Sequence, residues 1–251
     1  MTKNIESTEG KKLVEPVTDT LSRLSRRKFL NYAGASAGVA LLASACKKDD
    51  VNMNTDGVDL GSGDTGILNY AYALEQLEAA FYIQVIKTPY ANITDNEKAL
   101  LTDIRDHEIA HREFFKAALA GSAIPALEVN FSTITFADRT SVLATAKAFE
   151  DLGVSAYNGA GQLIAKLDYL VVAGKIVSVE ARHAALIRDL IANGSFAGNS
   201  TDDMIVDASG RDMARTPAQV LAIAGNYIKT KINPSNLPSP SFTGDWWRPA
   251  E

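Results

Sequence analysis

Two short stretches with the same spacing constrain what this chain can fold into. Glu108-x-x-His111 and Glu180-x-x-His183 each place a carboxylate three residues before an imidazole, in a chain of 251 residues with only three histidines. Twelve residues are glutamate, roughly one in twenty, so two of three histidines would carry one at that spacing by accident in under about one case in a hundred. Residues three apart share a helix face. Each pair can therefore aim a carboxylate and an imidazole at one spot.

A second regularity joins the first. Glu75 lies 33 residues before Glu108, and Glu150 lies 30 before Glu180. Each of these glutamates is followed seven residues later by a tyrosine, Tyr82 and Tyr157, two helical turns along the same face. The pattern Glu-x6-Tyr…Glu-x-x-His thus occurs twice. Bundles that hold two metal ions take a Glu-x-x-His from each of two helices and one glutamate from each of the other two. Apolar residues flank all four glutamates (Leu74, Leu77, Ile109, Phe149, Leu152, Val179), and four carboxylates on core faces are costly without a partner. Glu78, one turn beyond Glu75, is the competing candidate in the first helix. The distance to Glu108 and the link to Tyr82 favour Glu75. His107 sits about 100° around the helix from Glu108 and is not expected to be a ligand. The two tyrosines are either hydrogen-bond donors to the carboxylates or plain core aromatics.

The helices that carry these residues are legible from apolar spacing. Ile67–Ile86 repeats at helical period, capped by Asp64 or Thr65 and stopped by Pro89. Thr94-x-x-Glu97 has the form of a capping box for a second helix running to Ala120. Residues 121–137, with Pro125 and an extended-looking Val129–Phe136, form a long crossover. A third helix is expected over Thr140–Ile164 and a fourth over Leu167–Ala192. Thr216-Pro217 opens a fifth, continuing to about Ile232. The tail from 233, with Trp246-Trp247, is irregular. The expected architecture is all-α: a four-helix bundle with a long crossover between helices 2 and 3 and an additional C-terminal helix.

The N-terminal segment carries a different signal. Arg26-Arg27-Lys28-Phe29-Leu30 precedes the run Ala33–Ala45, which is too short to span a membrane. This is the form of a twin-arginine export signal, so residues 1–46 are set apart from the fold. Leu42-Ala43-Ser44-Ala45-Cys46 resembles a lipobox, with Cys46 as the lipidated residue. Ala43 and Ala45 also fit an ordinary signal-peptidase site at the same place. Either way the mature protein is expected outside the cytoplasm, periplasmic or at the cell surface, touching the membrane only through a lipid anchor. Residues 47–64 read as a flexible spacer and 65–232 as the domain. With one cysteine no intrachain disulfide can form, and the net charge of −5 gives no reason to expect nucleic acid as a partner.

On these motifs the chain resembles the ferritin-like superfamily of di-metal carboxylate bundles. The run Leu68-Asn69-Tyr70-Ala71-Tyr72-Ala73-Leu74-Glu75-Gln76-Leu77-Glu78-Ala79-Ala80-Phe81-Tyr82, with Glu180-Ala181-Arg182-His183, looks like the ferritin-like domain of desiccation-related proteins. The resemblance implies two iron or manganese ions bridged by Glu108 and Glu180. Glu75 and His111 would complete one ion's ligands, Glu150 and His183 the other's, with Tyr82 and Tyr157 donating to carboxylates. Iron or manganese held by carboxylates and imidazoles with open positions would take O2 or peroxide as the reactant of an oxidase or ferroxidase in stress protection, although the resemblance itself brings no established reaction. The alternative is a non-catalytic desiccation- or stress-related surface protein with a structural or vestigial metal site. The crossover and fifth helix are not those of the iron-storage cage. Association of identical copies stays open.

Overall fold

The computed structural model describes residues 57–198, 205–207 and 210–239. The segment expected to be an export signal, Cys46 and the paired tryptophans lie outside the described residues.

Four long helices form the bundle: α1 (Gly63–Lys87), α2 (Asp95–Leu119), α3 (Arg139–Gly161) and α4 (Leu167–Ile191). A short α5 (Pro217–Ala224) follows. At roughly 1.5 Å per residue the long helices run about 35–38 Å. α1 packs most extensively on α2, and α3 on α4. The segment between α2 and α3 joins the two pairs, and only a 3₁₀ turn at Ala120–Ser122 and one bridge residue, Val129, are regular in it. The extended Val129–Phe136 expected there is mostly turns.

Burial explains why α1 is apolar on every side. Every residue from Gly66 to Ala79 is buried, as befits a helix enclosed by its neighbours. α2 instead buries a single stripe: Glu97, Leu101, Ile104, Glu108, Phe115 and Leu119. Phe81 of α1 packs edge-on against Tyr82 and Phe149, its ring centroid 5.0 and 5.1 Å from theirs. Polar side chains of α1 tie down the crossover. Asn69 Nδ2 donates to Leu60 O and Ser122 O at 3.0 and 2.9 Å, while its Oδ1 accepts from Ile124 N at 3.0 Å. Gln76 Oε1 accepts from Leu127 N at 2.8 Å. These bonds satisfy backbone groups that the irregular crossover leaves unpaired.

Several local expectations change. The cap of α1 is Ser62, without a side-chain bond. Asp64 accepts instead from Ala165 N and Lys166 N at 2.7 and 3.0 Å, in the turn between α3 and α4. Thr94 caps α2 by accepting from Glu97 N at 3.1 Å, but the Glu97 carboxylate turns to Arg139 at 2.7 Å and leaves the capping box half made. α3 stops at Gly161, short of Ile164. α5 has the full capping box of Thr216 and Gln219 with Pro217 at its first position, yet ends at Ala224 instead of Ile232. Beyond it Ile228 bridges to Val129, and β2 (Ile232–Asn233) pairs in parallel with β1 (Val58–Asp59). The described end of the expected spacer is therefore part of the fold, and Leu60 is fully buried.

Candidate metal centre

Each of the four long helices contributes to one cluster at mid-bundle. Glu75 comes from α1, Glu108 and His111 from α2, Glu150 from α3, Glu180 and His183 from α4. All four carboxylates have 0% exposure, and His183 is also buried. The six residues singled out by spacing are thus brought together. They fall into two groups, Glu75–Glu108–His111–Glu180 and Glu108–Glu150–Glu180–His183, each with one ligand-type atom per residue and all those atoms within 4.8 Å of one another. Glu108 and Glu180 belong to both.

Both imidazoles turn Nδ1 inward. His111 Nδ1 lies 3.0 Å from Glu180 Oε1, 3.4 Å from Glu75 Oε2 and 3.6 Å from Glu108 Oε2. His183 Nδ1 lies 2.8 Å from Glu108 Oε1 and 3.4 Å from Glu150 Oε2. These atoms are close without being aligned as hydrogen bonds. The two Nδ1 atoms, both oxygens of Glu108 and Glu180, and one oxygen each of Glu75 and Glu150 have no hydrogen-bond partner. Buried polar atoms left this way are expensive. Converging oxygen and nitrogen donors on a common point is what a pair of cations would satisfy, and the donor set fits iron or manganese.

The electrostatics agree. Burial pushes the Glu75 acid up to about 7 despite the His111 imidazole beside it. Burial and then the neighbouring Glu108 hold Glu180 well above the ordinary carboxylate range. Burial also raises Glu150. Glu108 is the exception: burial acts upward, but contacts with His111 and His183 outweigh it and hold the acid at about 2. Burial acts downward on His183, yet Glu108 and Glu150 raise it to about 10. His111 is likewise driven far up by Glu108, Glu180 and Glu75 against its own burial. Burial thus works against the charge on Glu75, Glu150 and Glu180, while the carboxylates hold both imidazoles in their charged form.

The outer contacts of the cluster cross between the halves. Tyr82 Oη of α1 donates to Glu150 Oε1 of α3 at 2.5 Å, and Tyr157 of α3 donates to Glu75 Oε1 of α1. Each tyrosine thus serves the other half's glutamate. Two residues that spacing did not assign also stand at the centre. His107 is outside both groups, but its Nδ1 is 2.9 Å from His183 Nε2, with the two rings nearly parallel. It fixes the outer nitrogen of His183. Glu78 is 3% exposed and also lies outside both groups. No periodicity signals the His107 contact, which depends on the neighbouring helix that faces it, whereas spacing offered Glu78 only as the competitor of Glu75.

Comparison with known proteins agrees with the fold. The ferritin-like domain family matches residues 63–193, from the first residue of α1 to just past α4. That is more than half of the chain, which belongs to this family. No curated protein matches it.

Proposed function

We propose that this member of the ferritin-like family holds two iron or manganese ions at mid-bundle and uses them as an oxidoreductase acting with O2 or peroxide. Glu108 and Glu180 are assigned as the bridging carboxylates, because each belongs to both ligand groups. Glu75 and His111 serve one ion, Glu150 and His183 the other. Bound there, such ions would supply one-electron redox chemistry toward a small oxidant. The carrying observation is the set of eight orphaned oxygen and nitrogen atoms that these six residues turn toward one another inside the bundle.

The remaining residues orient that set. Tyr82 holds Glu150 and Tyr157 holds Glu75, so each of these carboxylates keeps its second oxygen free to face inward. His107 engages His183 from behind and leaves Nδ1 directed at Glu108 and Glu150. A small apolar cavity is lined by Tyr70, Leu74, Phe115, Tyr157 and Val172, and Tyr157 is the residue it shares with the outer contacts of the cluster. Residues 22–46, read as a twin-arginine export signal, support an extracytoplasmic site of action with Cys46 as the lipid anchor.

The test is oxidation of Fe(II) in air and with peroxide, followed as Fe(III) formation. The protein should accelerate it well above buffer. A Glu108→Ala, Glu180→Ala double variant should fall back to the buffer rate. Equal rates for buffer and parent protein would overturn the oxidoreductase reading and favour a structural metal site.

A further inference from the structure

The internal repeat breaks at one place inside the site. Three residues after Glu75 stands Glu78, whereas three residues after Glu150 stands Gly153. Both lie on the inner faces of their helices, and both are buried. A Cβ at position 153 would stand 3.1 Å from Glu78 Oε1 and 3.2 Å from Glu180 Oε2. The absent side chain of α3 is therefore the space in which two carboxylates of the other helices rest. Glu78 Oε2 has no hydrogen-bond partner although it is enclosed. An enclosed carboxylate oxygen left without a donor is costly for a core to hold. Glycine also weakens a helix interior by roughly 1 kcal/mol relative to alanine, so both members of the pair work against stability alone.

We propose that Glu78 is a further metal-directed carboxylate and that Gly153 is the gap that admits it, so that the centre carries an extra ligand on one side only. The inference rests on the di-metal reading above and deepens it. One enclosed oxygen of Glu78 has no partner and the other lies with Glu180 at the Gly153 gap, which is costly with no cation between them. A cation placed among these carboxylates removes that cost. Four carboxylates already balance two divalent ions, and a fifth adds attraction beyond neutrality.

Mn(II) titration of the parent, Glu78→Gln and Gly153→Ala proteins tests this, with binding followed by calorimetry and by the Mn(II) electron paramagnetic resonance spectrum. The parent is expected to bind about two ions. Glu78→Gln should keep that stoichiometry, weaken the affinity on the order of tenfold and change the bound spectrum. Gly153→Ala, whose methyl displaces both carboxylates, should reproduce the weakening. The metal-free Glu78→Gln protein should melt no lower than the metal-free parent, since a neutral amide replaces an unpartnered acid. Parent-like affinity and spectrum in Glu78→Gln overturn the role of Glu78 and leave the di-metal reading standing. A parent that binds no Mn(II) or Fe(II) overturns both.

Discussion

Tyr82 on α1 donates its hydroxyl to Glu150 on α3, 2.5 Å away and 68 residues along the chain. Tyr157 on α3 returns the same contact to Glu75 on α1. The two half-motifs thus exchange their tyrosines, and neither half of the centre is complete without the other. Seven residues raise a side chain by about 10.5 Å along its own helix. That carries each tyrosine two turns past its own glutamate, and its hydroxyl reaches the glutamate across the bundle instead.

The exchange predicts which variant affects which ion. Tyr82→Phe should weaken binding at the His183 side, and Tyr157→Phe at the His111 side, each on the order of tenfold. Each should also lower the stability of the metal-free fold by about 1.5–3 kcal/mol, the worth of a buried bond to a charged group. Stepwise metal titration and urea unfolding of the two variants measure both effects. Loss at the tyrosine's own half would contradict the exchange.

Bridging and terminal ligands separate by stoichiometry. Glu108→Ala or Glu180→Ala should empty both positions, because each residue belongs to both groups. His111→Ala should retain the Glu150–His183 ion, and His183→Ala the Glu75–His111 ion. Elemental analysis of the four proteins distinguishes them. Parent-like metal content in all four would remove the assignment.

Outside the centre, Arg188 of α4 is 2% exposed and donates to Asp151 of α3 at 3.0 and 2.5 Å. Asp151→Ala leaves that guanidinium without its bidentate acceptor. The expected loss is about 3 kcal/mol, read from denaturant unfolding, with metal content unchanged. An unfolding midpoint equal to the parent's would contradict it.

The export reading has its own test. Cys46→Ala should release the protein from the membrane fraction with the fold intact, and replacing Arg26 and Arg27 by lysine should block export. A Cys46→Ala protein that stays with membranes contradicts the lipid anchor. Unchanged export of the lysine variant contradicts the twin-arginine route.

How much of this was legible in the chain follows from what local spacing can encode. The four long helices follow from apolar period, and α5 follows from Thr216-Pro217, each to within a few residues at most ends. The gathering of Glu75, Glu108, His111, Glu150, Glu180 and His183 follows from faces shared at three and seven residues. The contacts that depend on a neighbouring element do not. Residues 57–62 have no periodic pattern, and their order comes from pairing with Ile232–Asn233 at the far end of the chain. The early end of α5 was signalled by Gly225-Asn226, which outweighs the apolar residues that follow. Glu78 is a competitor of Glu75 when only spacing is considered. In the folded bundle both are enclosed, because Gly153, on a different helix, leaves room for Glu78.

The most direct measurement is metal bound per chain after the purified protein is loaded with Fe(II) or Mn(II) and desalted, together with the melting temperature before and after. About two ions per chain and a clearly higher melting temperature for the loaded protein are expected, because cations then satisfy the orphaned carboxylates and imidazoles. A protein that retains no metal and melts at the same temperature in both states would contradict the account.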